Sequence, residues 1–215
     1  MRLDRLGGNW AWLAIALWAA ALGGGFAILW RYEITPGAGG GPGGRWPAES
    51  SIVRPPGRPV LLMFAHPQCV CTRASLAELG RLKDRLEGRL AVIVVFLRPA
   101  DADEAWDRSD LVARVAAMPG VTAVRDLDGR EAARFGAATS GHALVYDAQG
   151  ALLFSGGLTA ARGREGEAPG ARRIAALLTT GRADGTASPV FGCALRHGEA
   201  VEGDVLDGGL KGKSR

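Results

Sequence analysis

The chain has 215 residues, 47% of them hydrophobic and 22% charged, with a formal net charge of +4. The positive excess is scattered Arg with few Lys and no basic block interleaved with aromatics, which excludes a nucleic-acid footprint. The cysteine count is three, so no closed disulfide framework accounts for all of them, and one thiol stays free, pairs between chains or exchanges.

Residues 1–8 carry Arg2 and Arg5 and lead into Asn9–Trp30, NWAWLAIALWAAALGGGFAILW, which is almost wholly apolar. A run of about 20 such residues crosses a bilayer as a helix. Trp10 and Trp12 at one end, and Trp30 with Tyr32 at the other, suit the two interfacial belts. Residues 9–32 are therefore expected to form a single-pass transmembrane helix in an inner (cytoplasmic) membrane of bacterial type. Arg2 and Arg5 favour a cytoplasmic N-terminus and a domain on the periplasmic or extracytoplasmic side, although Asp4 and Arg31 weaken the bias. A cleaved signal peptide ending at Ala19-Ala20-Ala21 is the alternative; the apolar stretch runs further than such a segment needs. Gly/Pro-rich residues 33–58 have few apolar side chains and read as a flexible tether, with Ile52-Val53 as a weak edge-strand candidate.

The folded domain is expected over residues 59–196. Val60–Phe64 is a short apolar strand bounded by Pro59 and by His66-Pro67. Behind it, Leu76, Leu79, Leu82 and Leu86 share one helical face that Gly88 closes. Leu90–Leu97 is continuously apolar and β-branched, as in a strand buried on both faces. Ser109–Met118 reads as a short helix capped by Ser109 or Asp110 and stopped by Pro119-Gly120. Val121–Arg125 alternates weakly, Asp126–Gly129 turns, and Arg130–Ala138 is a further helix. Ala143–Tyr146 and Ala151–Phe154 flank a four-residue connection and predict a β-hairpin. A last helix spans Ala171–Leu178, ended by Gly181, and 197–215 is a polar tail.

Cys69 and Cys71 sit where the first strand hands over to its helix. Unsatisfied N–H groups and the positive end of the helix dipole favour the thiolate there. On a regular helix residues two apart do not meet. A Cys69–Cys71 disulfide thus needs the helix to begin later, near Thr72 or at the Ser75-x-x-Glu78 capping box. Cys193, in Pro189-Val190-Phe191-Gly192-Cys193, is the other candidate partner.

The phrase Phe64-Ala65-His66-Pro67-Gln68-Cys69 resembles the thioredoxin superfamily up to its first active cysteine, and Thr72 stands where that family has its second. The longer phrase His-Pro-x-Cys-x-Cys-Thr-Arg-Ala-Ser, with the late Pro-x-Phe-Gly-Cys, is similar to membrane-anchored RedB-type thioredoxin-like proteins. Val121–Ala138 resembles the insert of membrane-tethered cytochrome-maturation thioredoxins and peroxiredoxins. The resemblance implies an α/β, thioredoxin-like fold, a central mixed sheet flanked by helices. It implies a membrane-anchored thiol-disulfide oxidoreductase acting on protein thiols or disulfides with no required cofactor. Cys69 would be the exposed attacking thiol, with Cys71 or Cys193 resolving, and His66, Pro67, Gly141 and His142 shaping the site. Gly141 falls where the family has a cis-proline that keeps metals off the dithiol. The alternative is accordingly a copper-binding chaperone of the same fold, with His66, Cys69, Cys71 and His142 as ligands, since thiolate and imidazole suit Cu(I).

Overall fold

The computed structural model describes residues 6–195. Helix α1, Leu6–Ile34, contains one stretch long and apolar enough to cross a membrane, Trp10–Ile34, with mean hydropathy 1.9 and no part of it buried against the rest of the chain. At 1.5 Å per residue that stretch is about 37 Å long, which exceeds a bilayer's hydrocarbon core.

The domain is built on one six-stranded sheet. Strand β1 is Val60–Ala65, β2 Ala91–Arg98, β3 Val121–Leu127, β4 His142–Tyr146, β5 Leu152–Gly157 and β6 Ala187–Ser188. Their order across the sheet is β3-β2-β1-β4-β5-β6. The first three are parallel, while β4 runs antiparallel to both β1 and β5. Helix α2, Val70–Leu86, makes the crossover from β1 to β2. The helices α3 (Glu104–Asp107), α4 (Asp110–Ala116), α5 (Arg130–Arg134) and α6 (Pro169–Thr180) complete the layers.

Both faces of the sheet are buried, as the unbroken apolar runs of β1 and β2 require. On one face Leu76, Leu79, Leu82 and Leu86 of α2 pack with Met63, Val94, Val145 and Ile174. The opposite face joins Leu62, Phe64, Val95, Leu144 and Tyr146 to Ala132 and Phe135 around α5. A mixed sheet in this order, with helices on both sides and a terminal hairpin, is the thioredoxin-like fold.

Several elements depart from the sequence reading. Helix α2 starts at Val70, and the capping-box pair Ser75 and Glu78 lies inside it, both buried. Strand β3 continues through Asp126 to Leu127 because it follows β2 to its end, Leu127 standing opposite Arg98. Helix α5 stops at Arg134, since Gly136 turns into the left-handed region at φ +64°. The short α3 and the two-residue β6 carry too little pattern to predict.

Residues 35–58 do not hang free. They lie on the domain as a strap, held by main-chain bonds from Gly37 to Val190, Gly41 to Gly136, Trp46 to Gly150 and Leu152 to Gly44, at 2.8–3.0 Å. Trp46 stands edge-on to Phe135 and Tyr146, with ring centroids 5.0 and 5.2 Å away. Ile52 is buried in that core and forms no strand. Ser50 and Ser51 bond the buried carboxylate of Glu131. Two indole and aliphatic anchors plus backbone bonds thus do what a richer apolar sequence would otherwise do. The expected polar tail at 197–215 lies outside the described residues.

Candidate active site

Strand β1 ends at Ala65 and the chain turns through His66-Pro67-Gln68 into α2. His66 is buried; its Nδ1 accepts from the Gln68 N–H at 3.2 Å, and its ring meets Trp106 edge-on at 5.0 Å. The His66 carbonyl accepts the Cys69 N–H at 3.1 Å, closing the turn over a buried Pro67. Cys69 is the N-cap of α2, with extended backbone (φ −84°, ψ 115°), and its carbonyl accepts from the Thr72 N–H at 3.0 Å.

Cys69 is 1% exposed, so it is not the exposed thiol the resemblance implied. Burial pushes its pKa up. The thiol and main-chain N–H of Cys193, and the hydroxyl and N–H of Thr72, all bond the sulfur and more than offset that cost, leaving the pKa below its ordinary value. Thr72 is itself placed by Ser140, whose Oγ is 2.7 Å from Thr72 Oγ1 and accepts the His66 N–H at 2.8 Å. Accepting from His66 leaves the Ser140 hydrogen for Thr72, and the Thr72 hydrogen for the sulfur.

Cys71 lies in the first turn of α2 and is nearly buried. Burial raises its pKa, the neighbouring Cys69 charge raises it further, and the Arg162 guanidinium opposes both. Cys71 also bonds the Cys69 sulfur. The two meet although the helix starts at Val70, because the extended Cys69 stands outside the helical spiral.

Cys193 is an exposed residue, and partial desolvation, together with bonding to and facing Cys69, pushes its thiol up to about 12. It sits on an irregular segment pinned on two sides. Its carbonyl accepts the Ser140 N–H at 2.8 Å, and Leu195 N–H bonds Ala138 at 2.9 Å. A side chain on Gly192 would run into the Ser140 carbonyl, so only glycine lets the segment lie this close. Arg162 completes the cluster. It donates from Nη1 to the Gly192 carbonyl at 2.6 Å and reaches Cys71.

Cys71 and Cys193 thus each face Cys69. His142 does not join them. His142 pairs with Phe64 across β1 and β4, and like Phe64 and Leu144 it belongs to the sheet face opposite α2. There its Nε2 is 2.9 Å from the Ser155 Oγ, and burial lowers its pKa to about 4. Among the described residues no group of three His, Cys, Asp or Glu stands close enough to hold a metal ion. The quartet His66, Cys69, Cys71 and His142 is thus not assembled. Gly141 occupies the turn before β4 at φ +89°, preceded by a trans peptide, and its N–H bonds the Phe64 carbonyl at 2.7 Å. Ser140 and Arg162 are site residues that the sequence motifs did not single out, and Thr72, at the family's second cysteine position, joins them as a donor to Cys69.

No protein-family model matches the sequence, and no curated protein matches it. Solved structures do. A hypothetical protein from Sinorhizobium meliloti 1021 is similar at 24% identity and a TM-score of 0.52, over 64% of this chain and 79% of that one. An uncharacterized conserved protein from Geobacillus kaustophilus is similar at 19% identity and a TM-score of 0.54, over 77% and 93%. A secreted Mycobacterium tuberculosis disulfide oxidoreductase is similar at 18% identity and a TM-score of 0.40, over 58% and 83%. Identities this low extend the likeness to the fold alone.

Proposed function

We propose that this chain is a membrane-anchored thiol-disulfide oxidoreductase whose working pair is Cys69 and Cys193, with α1 as the anchor in an inner membrane and the domain on its outer side. The observation that carries the reading is the return of the Cys193 segment, pinned to Ser140 and Arg162, to face the buried Cys69; the Cys69 pKa is lowered there and that of Cys193 raised. That asymmetry assigns the roles. In the Cys69–Cys193 disulfide a partner thiolate attacks the accessible Cys193 sulfur, and the Cys69–Cys193 bond breaks with Cys69 leaving as the stabilised thiolate. The partner's second thiol, on losing its proton, attacks its own sulfur in the mixed disulfide. Cys193 leaves and takes up a proton, so the partner dithiol is oxidised by two electrons and the pair reduced. The reverse direction uses the same atoms, with Cys69 attacking Cys193 to release a reduced partner. Exchange of this kind needs no cofactor.

Cys193 is a better disulfide partner for Cys69 than Cys71 is. Its segment has no helical geometry to break and is already pinned facing Cys69, whereas Cys71 is held in the first turn of α2. Burial and the neighbouring Cys69 favour the protonated form of Cys71, which faces the Cys69 sulfur.

Peptide mapping of the oxidised full-length chain tests this. The expected link is Cys69–Cys193, kept in Cys71→Ser, with exchange lost in Cys69→Ser and Cys193→Ser. In Cys69→Ser, partner mixed disulfides should accumulate on Cys193. A Cys69–Cys71 link, or no disulfide that cycles with a dithiol, would overturn the assignment.

A further inference from the structure

The end of the anchor is part of the site's surroundings. Arg162 donates from Nε to the Tyr32 carbonyl at 3.1 Å and from Nη2 to the Thr35 carbonyl at 3.3 Å. Its own N–H bonds the Glu33 carbonyl at 3.2 Å, and its guanidinium lies over the Tyr32 ring, 4.7 Å from the centroid. The same guanidinium holds the Gly192 carbonyl and reaches the Cys71 sulfur. One side chain thus joins the last turn of α1 to the peptide that carries Cys193. Just beyond, Gly37 bonds Val190 and Ala38 bonds Thr139, so the chain leaving α1 is fixed against the same segment. The apolar stretch of α1 is not buried against the domain. Val70, between the two helix-end cysteines, turns an apolar side chain to the outside at 79% exposure. Tyr32 and Trp30 belong at the headgroup level of a spanning helix.

From this we infer that Arg162 holds the three-thiol site against the bilayer surface, where it exchanges with a disulfide carried by a membrane-embedded protein close to the lipid headgroups. The inference rests on the anchored oxidoreductase reading above. A long tether would let the domain reach partners well out in the aqueous compartment. The Arg162 clamp instead places Cys193 within two side-chain contacts of the helix end.

The test uses the reduced full-length chain in phosphatidylcholine/phosphatidylglycerol vesicles and two acylated peptide disulfides. In one the disulfide lies two residues from the acyl chain. The other carries a flexible spacer of about 20 residues, whose mean reach is roughly 25 Å. The wild-type chain should exchange with the short-spacer peptide within about threefold of its rate with the long one, for a site held at that surface. Arg162→Ala should lower the short-to-long ratio at least about fivefold, a ratio from which any change in thiol reactivity cancels. A short-spacer rate more than about tenfold below the long one in wild type, or a ratio unmoved by Arg162→Ala, would overturn the inference. No exchange with either peptide or with a small soluble aromatic disulfide overturns the oxidoreductase reading, and this inference with it. Release of the chain from vesicles by alkaline extraction would instead overturn the anchor.

Discussion

The Cys193 thiol bonds the Cys69 sulfur, and the two respond to that contact in opposite directions, Cys69 moving below its ordinary pKa and Cys193 up to about 12. Negative charge on the pair is thereby favoured on the buried partner. A thiolate shielded from solvent and fed by several donors is a good leaving group and a slow target for stray electrophiles.

Thr72 supplies two of those donors through its hydroxyl and N–H. Thr72→Val keeps the shape and the N–H but removes the hydroxyl. Titration of the Cys69 thiolate by ultraviolet absorbance, in a Cys71→Ser background, should show a midpoint below 9.0 that moves upward in Thr72→Val. Because the folded-state pKa is depressed, the stability this group contributes is present above its unfolded pKa and is lost as pH falls through the folded value. The variant should therefore also narrow the stability difference between neutral and alkaline pH. An unmoved midpoint would mean that the hydroxyl does not carry the shift.

His142 adds an acid sensitivity of the same sign at lower pH. It is 1% exposed with its pKa lowered to about 4 by burial, so the folded state holds it neutral while the unfolded chain protonates near 6.5. Stability is full above pH 6.5 and declines as pH falls toward 4, because the unfolded state binds the extra proton. Between pH 7 and pH 5 the loss should be about 2 kcal/mol, read as a fall in urea midpoint. His142→Gln should flatten that part of the pH profile.

Gly192 is the position where a single methyl should disturb the site most directly. Gly192→Ala drives a Cβ into the Ser140 carbonyl and forces the Cys193 segment away from Cys69. The expected cost is about 1–3 kcal/mol of overpacking. Slower closure of the Cys69–Cys193 disulfide should accompany it, measured by quenched-flow alkylation and mass spectrometry. Gly43→Ala, where the nearest atom to a new Cβ is an ordinary 3.8 Å away, serves as the control on the same scale.

The features legible in the sequence are those written in local periodicity. The leucine stripe of α2 and the unbroken β2 run each predict an element and its burial, and both hold. The site was legible only in part, for reasons of geometry. Whether His142 meets the sulfurs depends on which way β4 faces once paired with Phe64, a parity that pairing with β1 fixes and the hairpin's own pattern does not. Ser75-x-x-Glu78 has the letters of a cap but sits on the buried side of α2, where Glu78 accepts the Gly166 N–H at 2.7 Å. Thr72, Ser140 and Arg162 share no spacing or composition signal. They become one site only because the β1–β4 register and the return of residues 190–195 bring distant stretches together.

The strap has a practical corollary for preparing a water-soluble version. Cutting at Arg58, where the Gly/Pro-rich stretch gives way to strand sequence, discards Trp46 and Ile52 and bares the aromatic edge of Phe135 and Tyr146. Such a fragment presents sticky surface to its neighbours and should precipitate. A cut between α1 and Pro36 spares the whole belt, so the shortest well-behaved recombinant product begins far closer to α1 than the residue composition advises.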